Sequence, residues 1–236
     1  MNTMIVIVLI SCAIIGHELA HALTGFILGY KLKKIYLGWP VKWKILGFSP
    51  IIFKRQLGNT EVGISLLLMG GMVDFHDFDK PPFWKISLIA LAGPVSNFLF
   101  ALVPMIIVFG PAVGWSEVML QVNYFLMGIG LLASGNIPLS SMTGLAGTVA
   151  VFTSLATGYH HGWLLVWLIL NISLAVFNIF PIPALDGGHI LMSAITSVLS
   201  RFFGEKYAKA GENVSKVFLQ MLTILMIVVM LKDILW

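Results

Sequence analysis

Apolar residues fall in long unbroken runs, and the few polar ones lie between those runs or singly inside them. The runs at about 4–24, 84–109, 163–180 and 217–236 are each near the roughly 20 residues that cross a bilayer as a helix. They predict four transmembrane helices. Between the first two, the pattern breaks into short β-prone pieces, Pro50 to Lys54 and Val62 to Leu68, on either side of the turn signal Gly58-Asn59. A β-hairpin over about 50–68 follows, and its aliphatic character sets it in or against the membrane. Open strands are tolerated at that depth only under protein cover or beside a water-filled cavity. Val118 to Ala133 is apolar and helix-compatible but short for a span, and reads as an interfacial helix. Gly144 to Ala156 is a second such piece, whose placement stays open.

The expected fold is therefore an α-helical polytopic membrane protein, a single unit over 1–236. Composition agrees: 58% of residues are hydrophobic and 10% charged, with a mean hydropathy of +0.97. A water-soluble domain of this size does not carry so little charge. The lone Cys12 excludes an intramolecular disulfide and a Cys-rich zinc site. No basic residue precedes the first run and no small-x-small cleavage signal stands out, so it reads as a retained helix and not a signal peptide.

Charge orients the chain. Of 14 Lys and Arg, nine lie from Lys31 to Lys85, after the first run and up to the start of the second, and four lie from Arg201 to Lys216. Four spans with both termini extracytoplasmic place all but Lys232 in the cytoplasm, as the positive-inside rule asks. The end of the first run and the start of the segment after the third then share the cytoplasmic side.

The chemistry sits at those two places. His17 and His21 are four residues apart on a helix, about 400° of rotation, so both imidazoles leave one face about one turn apart. Two imidazoles so placed can hold a zinc ion, with Glu18 near enough to act as a base on water. Glu18 has no basic residue within twelve positions, so no local ion pair explains a carboxylate in an apolar span. After the third run, Pro181 and Pro183 break the helix and deliver Asp186, a carboxylate suited to be a third ligand. The acidic cluster from Asp74 to Asp79, just before Pro81-Pro82, reads as solvated loop. In the second run, Asn97 of Ala92-Gly93-Pro94-Val95-Ser96-Asn97 either bonds across helices or simply packs.

With His17-Glu18-x-x-His21 in the first span and Asn178-x-x-Pro181-x-Pro183-x-Leu185-Asp186-Gly187 after the third, the chain resembles the site-2 protease family of intramembrane zinc metalloproteases. It looks closest to the branch with a membrane-associated hairpin, but the roughly fifty residues between its second and third spans leave no room for that branch's PDZ domain. The resemblance implies one Zn2+ held by His17, His21 and Asp186, with Glu18 as general base and Asn178 on the substrate side. It implies an endopeptidase that cleaves the transmembrane segments of single-span membrane proteins, in regulated intramembrane proteolysis or clearance of signal-peptide remnants. The expected partners are those substrates and the lipid bilayer, with accessory membrane proteins open and no nucleic acid. A zinc-binding membrane transporter or a non-proteolytic scaffold is the alternative. No internal repeat supports the first, and the intact Glu18 speaks against the second.

Overall fold

A computed structural model describes residues 2–38, 51–65, 70–78, 81–136, 145–183 and 185–203, with positions 217, 221 and 224. The apolar run at 217–236 lies, apart from those three positions, outside the described residues.

Helix α1 covers Asn2–Ile27, α2 Phe83–Phe109, α3 Pro111–Ala133 and α5 Gly162–Ile179, and all four are long and apolar enough to cross a membrane. The shorter α4 runs over Leu145–Gly158, and the amphipathic α6 over Asp186–Phe203. Polarity runs inside out, as in a membrane protein. Helix α1 turns Leu19 and Leu23 outward while burying His17, Glu18 and His21, and Asn97 and Asn171 are wholly buried. Hydrocarbon accepts an exposed leucine at no cost, whereas an unpaired amide there costs several kcal/mol, about 4–8 on transfer scales without hydrogen bonding.

One difference from the sequence pattern is α3. It starts at Pro111, not near 118, and its 23 residues give it the length of a span. Gly110, with φ at 82°, reverses the chain in one residue between α2 and α3, and Pro111 sits in the first turn, where its missing N–H costs nothing. A Cβ on Gly114 would strike the backbone of Met105 and Ile106, so the two helices lie in backbone contact. Helix α2 is the hub of the bundle, packing on α1, α3, α5 and α6. The apolar centre is Ala101 and Met105 of α2, Val118 of α3, and Leu168 and Ile172 of α5. Pro104 cannot donate to the Phe100 carbonyl four residues back. The Trp167 indole of α5 takes that carbonyl at 2.7 Å and ties α5 to α2 there.

The segment between α1 and α2 holds a four-stranded sheet. Strands β2 (Ile51–Leu57) and β3 (Thr60–Ser65) are the antiparallel pair around Gly58-Asn59, with Gly58 at φ 58°. Strands β1 (Leu32–Leu37) and β4 (Gly71–Phe75) were not legible, and the order is β2-β3-β1-β4. β1 lies in a lysine-rich stretch, and β4 ends in the acidic cluster that reads as loop. Two polar residues of β1 find partners distant in sequence. Lys33 pairs with Asp74 at 3.3 Å. Tyr36 is buried beneath Gly63, where a Cβ would collide with its ring, and its hydroxyl donates to Glu61 at 2.6 Å. Burial, then the bond to Glu61, push that hydroxyl up to about 12, so it stays a donor across the physiological range. Lys54, at 2.5 Å, holds the Glu61 carboxyl below its usual range.

Lys85 fastens α1 to α2 at the sheet side. Its ammonium donates to the Leu28 carbonyl at 3.1 Å, just past the end of α1, and lies 4.8 Å from the centre of the Tyr30 ring. Gly25 of α1 gives up its side-chain volume to the Phe75 ring of β4. Sheet and helix therefore meet closely, and the start of β4 falls beside the middle of α1.

Candidate metal centre

His17 and His21 project from one face of α1, with ring centroids 4.7 Å apart and the rings edge to face. Asp186 reaches them from the far end of the chain: its Oδ2 lies 3.1 Å from His17 Nε2 and its Oδ1 3.4 Å from His21 Nε2. The ligand-capable atoms of these three residues lie within 4.8 Å of one another. They are the only such group of three or more His, Cys, Asp or Glu among the described residues.

The approach of Asp186 follows from the local sequence. Helix α5 stops at Ile179, and the prolines at 181 and 183 keep the backbone from resuming it. The chain then folds back on itself so tightly that a Cβ on Gly187 would meet the Ile179 carbonyl, and one on Gly188 the Ile182 carbonyl. Only two glycines allow α6 to start there, with Asp186 as its first residue.

Each imidazole is held from behind by α2. His21 Nδ1 donates to the Ile89 carbonyl at 2.6 Å, and His17 Nδ1 lies 2.5 Å from Asn97 Oδ1. A carbonyl can only accept, so the neutral His21 ring carries its proton on Nδ1 and turns the Nε2 lone pair toward Asp186. A lone pair facing a carboxylate oxygen at 3.4 Å needs a cation between them. Gly93 of α2 decides what size of cation fits. A Cβ there would fall on the Nε2 atoms of both histidines, so the missing side chain keeps open a space that a proton does not need and a metal ion does. Two imidazole nitrogens and a carboxylate suit zinc and leave a further position free.

Glu18 lies against Gly71, the first residue of β4. The Gly71 N–H bonds its carboxylate, and a Cβ on Gly71 would meet Glu18 Cγ and Cδ. Asn178 sits in the last turn of α5, and its Nδ2 donates to the Leu174 carbonyl at 3.0 Å. No bond from Asn178 to the histidines is seen among the described residues.

Asn97, one reading of which was a bond across helices, bonds to both α1 and α5, whereas the roles of Gly93, the Ile89 carbonyl and Gly71 were the least visible in sequence. One signal was available: Gly93 and Asn97 are four residues apart in an apolar helix, hence on one face, and a face with a hole and an amide has something to accommodate. Nothing in the sequence points to Ile89, whose contribution is a backbone oxygen.

The family model described as Peptidase family M50 matches residues 5–222. Zinc metalloprotease RasP of Geobacillus kaustophilus is 39% identical over 72 residues, 30% of this chain and 17% of that protein. Protease RseP of Yersinia pestis is 28% identical over 95 residues, 40% of this chain and 21% of that one. Zinc metalloprotease Rip1 of Mycolicibacterium smegmatis is 27% identical over 124 residues, 46% and 28%. The matched stretches thus span well under a third of the length of these relatives.

Proposed function

This chain belongs to peptidase family M50, the site-2 proteases, and from that membership we propose that it is a zinc-dependent endopeptidase cleaving the transmembrane segments of single-span membrane proteins. The observation that carries the reading is the meeting of His17, His21 and Asp186 around the space left by Gly93, with Glu18 alongside. Zinc bound there supplies a Lewis acid that acidifies water and offsets the negative charge developing on the cleaved carbonyl. The remaining steps belong to the chain. Glu18 takes the proton of the attacking water and returns it to the leaving nitrogen. The Gly71 N–H keeps the Glu18 carboxylate aimed, and Asn97 and Ile89 keep the imidazoles turned inward. Asn178 is assigned to the substrate side on the family resemblance, its amide leaving the Leu174 carbonyl when substrate arrives.

A transmembrane substrate arrives helical, with its carbonyls already bonded, and has to be drawn out into extended form. The strand beside Glu18 is β4, not the 50–68 hairpin. Among the described residues β4 pairs only with β1, and its other edge carries no strand, only the Glu18 carboxylate at Gly71. Gly38 N donates to Gly70 O at 2.8 Å, which makes 38/70, and by alternation 36/72 and 34/74, the hydrogen-bonded pairs of this ladder. Gly71 and Val73 therefore turn their N–H and C=O groups away from β1, toward that other edge. An extended segment paired there runs past Glu18. Val73→Pro removes one outward N–H without touching the ladder to β1, a substitution that edge strands tolerate. Cleavage should fall about tenfold, the equivalent of one lost hydrogen bond, at unchanged zinc content. Cleavage at the wild-type rate would remove β4 from substrate handling.

We place the sheet and the site on the cytoplasmic side, with the nine basic residues from Lys31 to Lys85. If α3 crosses the membrane, the chain crosses back before α5, so α5 still ends on the side where α1 ends. The test is a zinc-loaded preparation in proteoliposomes with a single-span test protein. Cleavage should occur within the span, stop when a membrane-impermeant chelator is added on the sheet side, and return with zinc. Cleavage that survives complete removal of zinc, or stops only with chelator on the opposite side, contradicts the reading.

A further inference from the structure

Behind His17 lie two buried amides, Asn97 of α2 and Asn171 of α5, together with the Ala13 and Trp167 carbonyls. The Asn171 Nδ2 donates to the Trp167 carbonyl at 2.9 Å within α5. That carbonyl has no proton to give, so Asn171 has one orientation, with Oδ1 turned toward α2. Asn97 Nδ2 donates to this Oδ1 at 2.8 Å and also faces the Ala13 carbonyl of α1 at 3.2 Å. Both of those partners are acceptors. Asn97 is thereby fixed as well, and its own Oδ1 faces His17 Nδ1 at 2.5 Å. An oxygen acceptor at that position requires the proton of the neutral His17 ring to be on Nδ1 and leaves Nε2 bare on the side of His21, Asp186 and Gly93. Both Asn97 and Asn171 are completely buried, so no water competes for these bonds.

We propose that Asn97 and, behind it, Asn171 are positioning residues that lock His17 in the Nδ1–H form, so that α5 sets the protonation pattern of a ligand on α1 through α2. A flipped Asn97 would present an N–H to His17, favour the Nε2–H form, and put a proton where the metal has to bind. Asn171 touches neither histidine, yet it decides which way Asn97 faces. The proposal rests on the zinc site above, but its first measurement is made on zinc-free protein, so its failure and the failure of that reading are distinguishable.

The experiment reads the ring nitrogens of His17 and His21 by 15N NMR in the zinc-free full chain in detergent, with zinc affinity from chelator competition. In the wild type, at a pH where both rings are neutral, the proton should sit on Nδ1, facing Asn97 Oδ1 and the Ile89 carbonyl. Asn171→Leu, which keeps the volume and removes the amide, should give His17 a mixed or reversed pattern and lower zinc affinity by about 10–100-fold. His21, held by Ile89, should not change. Asn171→Asp should restore the wild-type pattern, since a buried neutral carboxyl can donate to the Trp167 carbonyl and accept from Asn97. A neutral wild-type His17 ring with its proton on Nε2, or an Asn171→Leu protein with the wild-type pattern and affinity, would overturn the proposal. Should Asn171→Leu fail to fold, the wild-type tautomer and the Asn171→Asp pattern still decide it.

Discussion

Glu18→Gln should keep zinc and lose cleavage. The substitution preserves shape: the glutamine Oε1 still accepts the Gly71 N–H, and the side chain still fits the space left by the missing Gly71 Cβ. The group that accepts a proton is gone. General-base catalysis by a positioned side chain contributes about 10²–10⁴-fold, and the Glu18→Gln rate for a single-span test protein should drop by that factor. Zinc per chain should stay at the wild-type level, because the three candidate ligands and their supports on α2 are untouched. Cleavage within tenfold of wild type at full zinc content would mean that another group takes the proton. Loss of zinc together with activity would mean that Glu18 belongs to the ion's own surroundings.

Gly93→Ala should do the reverse and cost the metal. In most helices this change is neutral or favourable, since alanine is the better helix former by about 1 kcal/mol. At residue 93 the new methyl would fall on the Nε2 atoms of His17 and His21, and α2 would have to retreat from α1 to admit both it and an ion. Retreat also pulls Asn97 and Ile89 off the imidazoles they hold. Zinc affinity should fall about 100-fold, at the upper end of what loss of outer-sphere support costs. Gly25→Ala is the control. Its methyl meets only the Phe75 ring, away from the ligands, so it disturbs the packing of α1 without touching the metal space. Chelator competition on the two variants separates a filled site from a loosened bundle: equal losses would show that Gly93 acts through packing alone, and no loss that α2 yields readily.

The pattern of runs was enough to foresee the long helices α1, α2 and α5, because a span is defined locally, by some twenty consecutive residues that avoid water. The same holds for the turn at Gly58-Asn59 and for the break at Pro181 and Pro183, where single residues dictate the backbone. Strands β1 and β4 escaped for the opposite reason. Each carries charge, Lys33 and Lys34 in β1 and Asp74 in β4, and what makes them strands is the pairing of β1 with β4 and with β3 across tens of residues, including the Lys33–Asp74 and Tyr36–Glu61 contacts. The length of α3 escaped because its apolar pattern is clear only from Val118, whereas Gly110 and Pro111 form a one-residue reversal that starts the helix at once.

For the candidate site, the sequence by itself determined which residues could bind an ion: the helical spacing of His17 and His21, the unpaired Glu18 between them, and a carboxylate after a broken helix. Those are properties of residue type and short-range geometry. That Asp186 comes within 3.1 Å of His17, 169 residues away, was decided only when α1, α2 and α5 packed. So were the close approach of Gly93 to the two rings, the hold of Ile89 and Asn97 on them, and the placing of the β4 edge beside Glu18. The physical reason is that ligand identity resides in side chains, whereas ligand direction is set by backbone carbonyls, missing Cβ atoms and amide orientations. Those become specific only when distant helices are brought together in an environment without water to satisfy them otherwise.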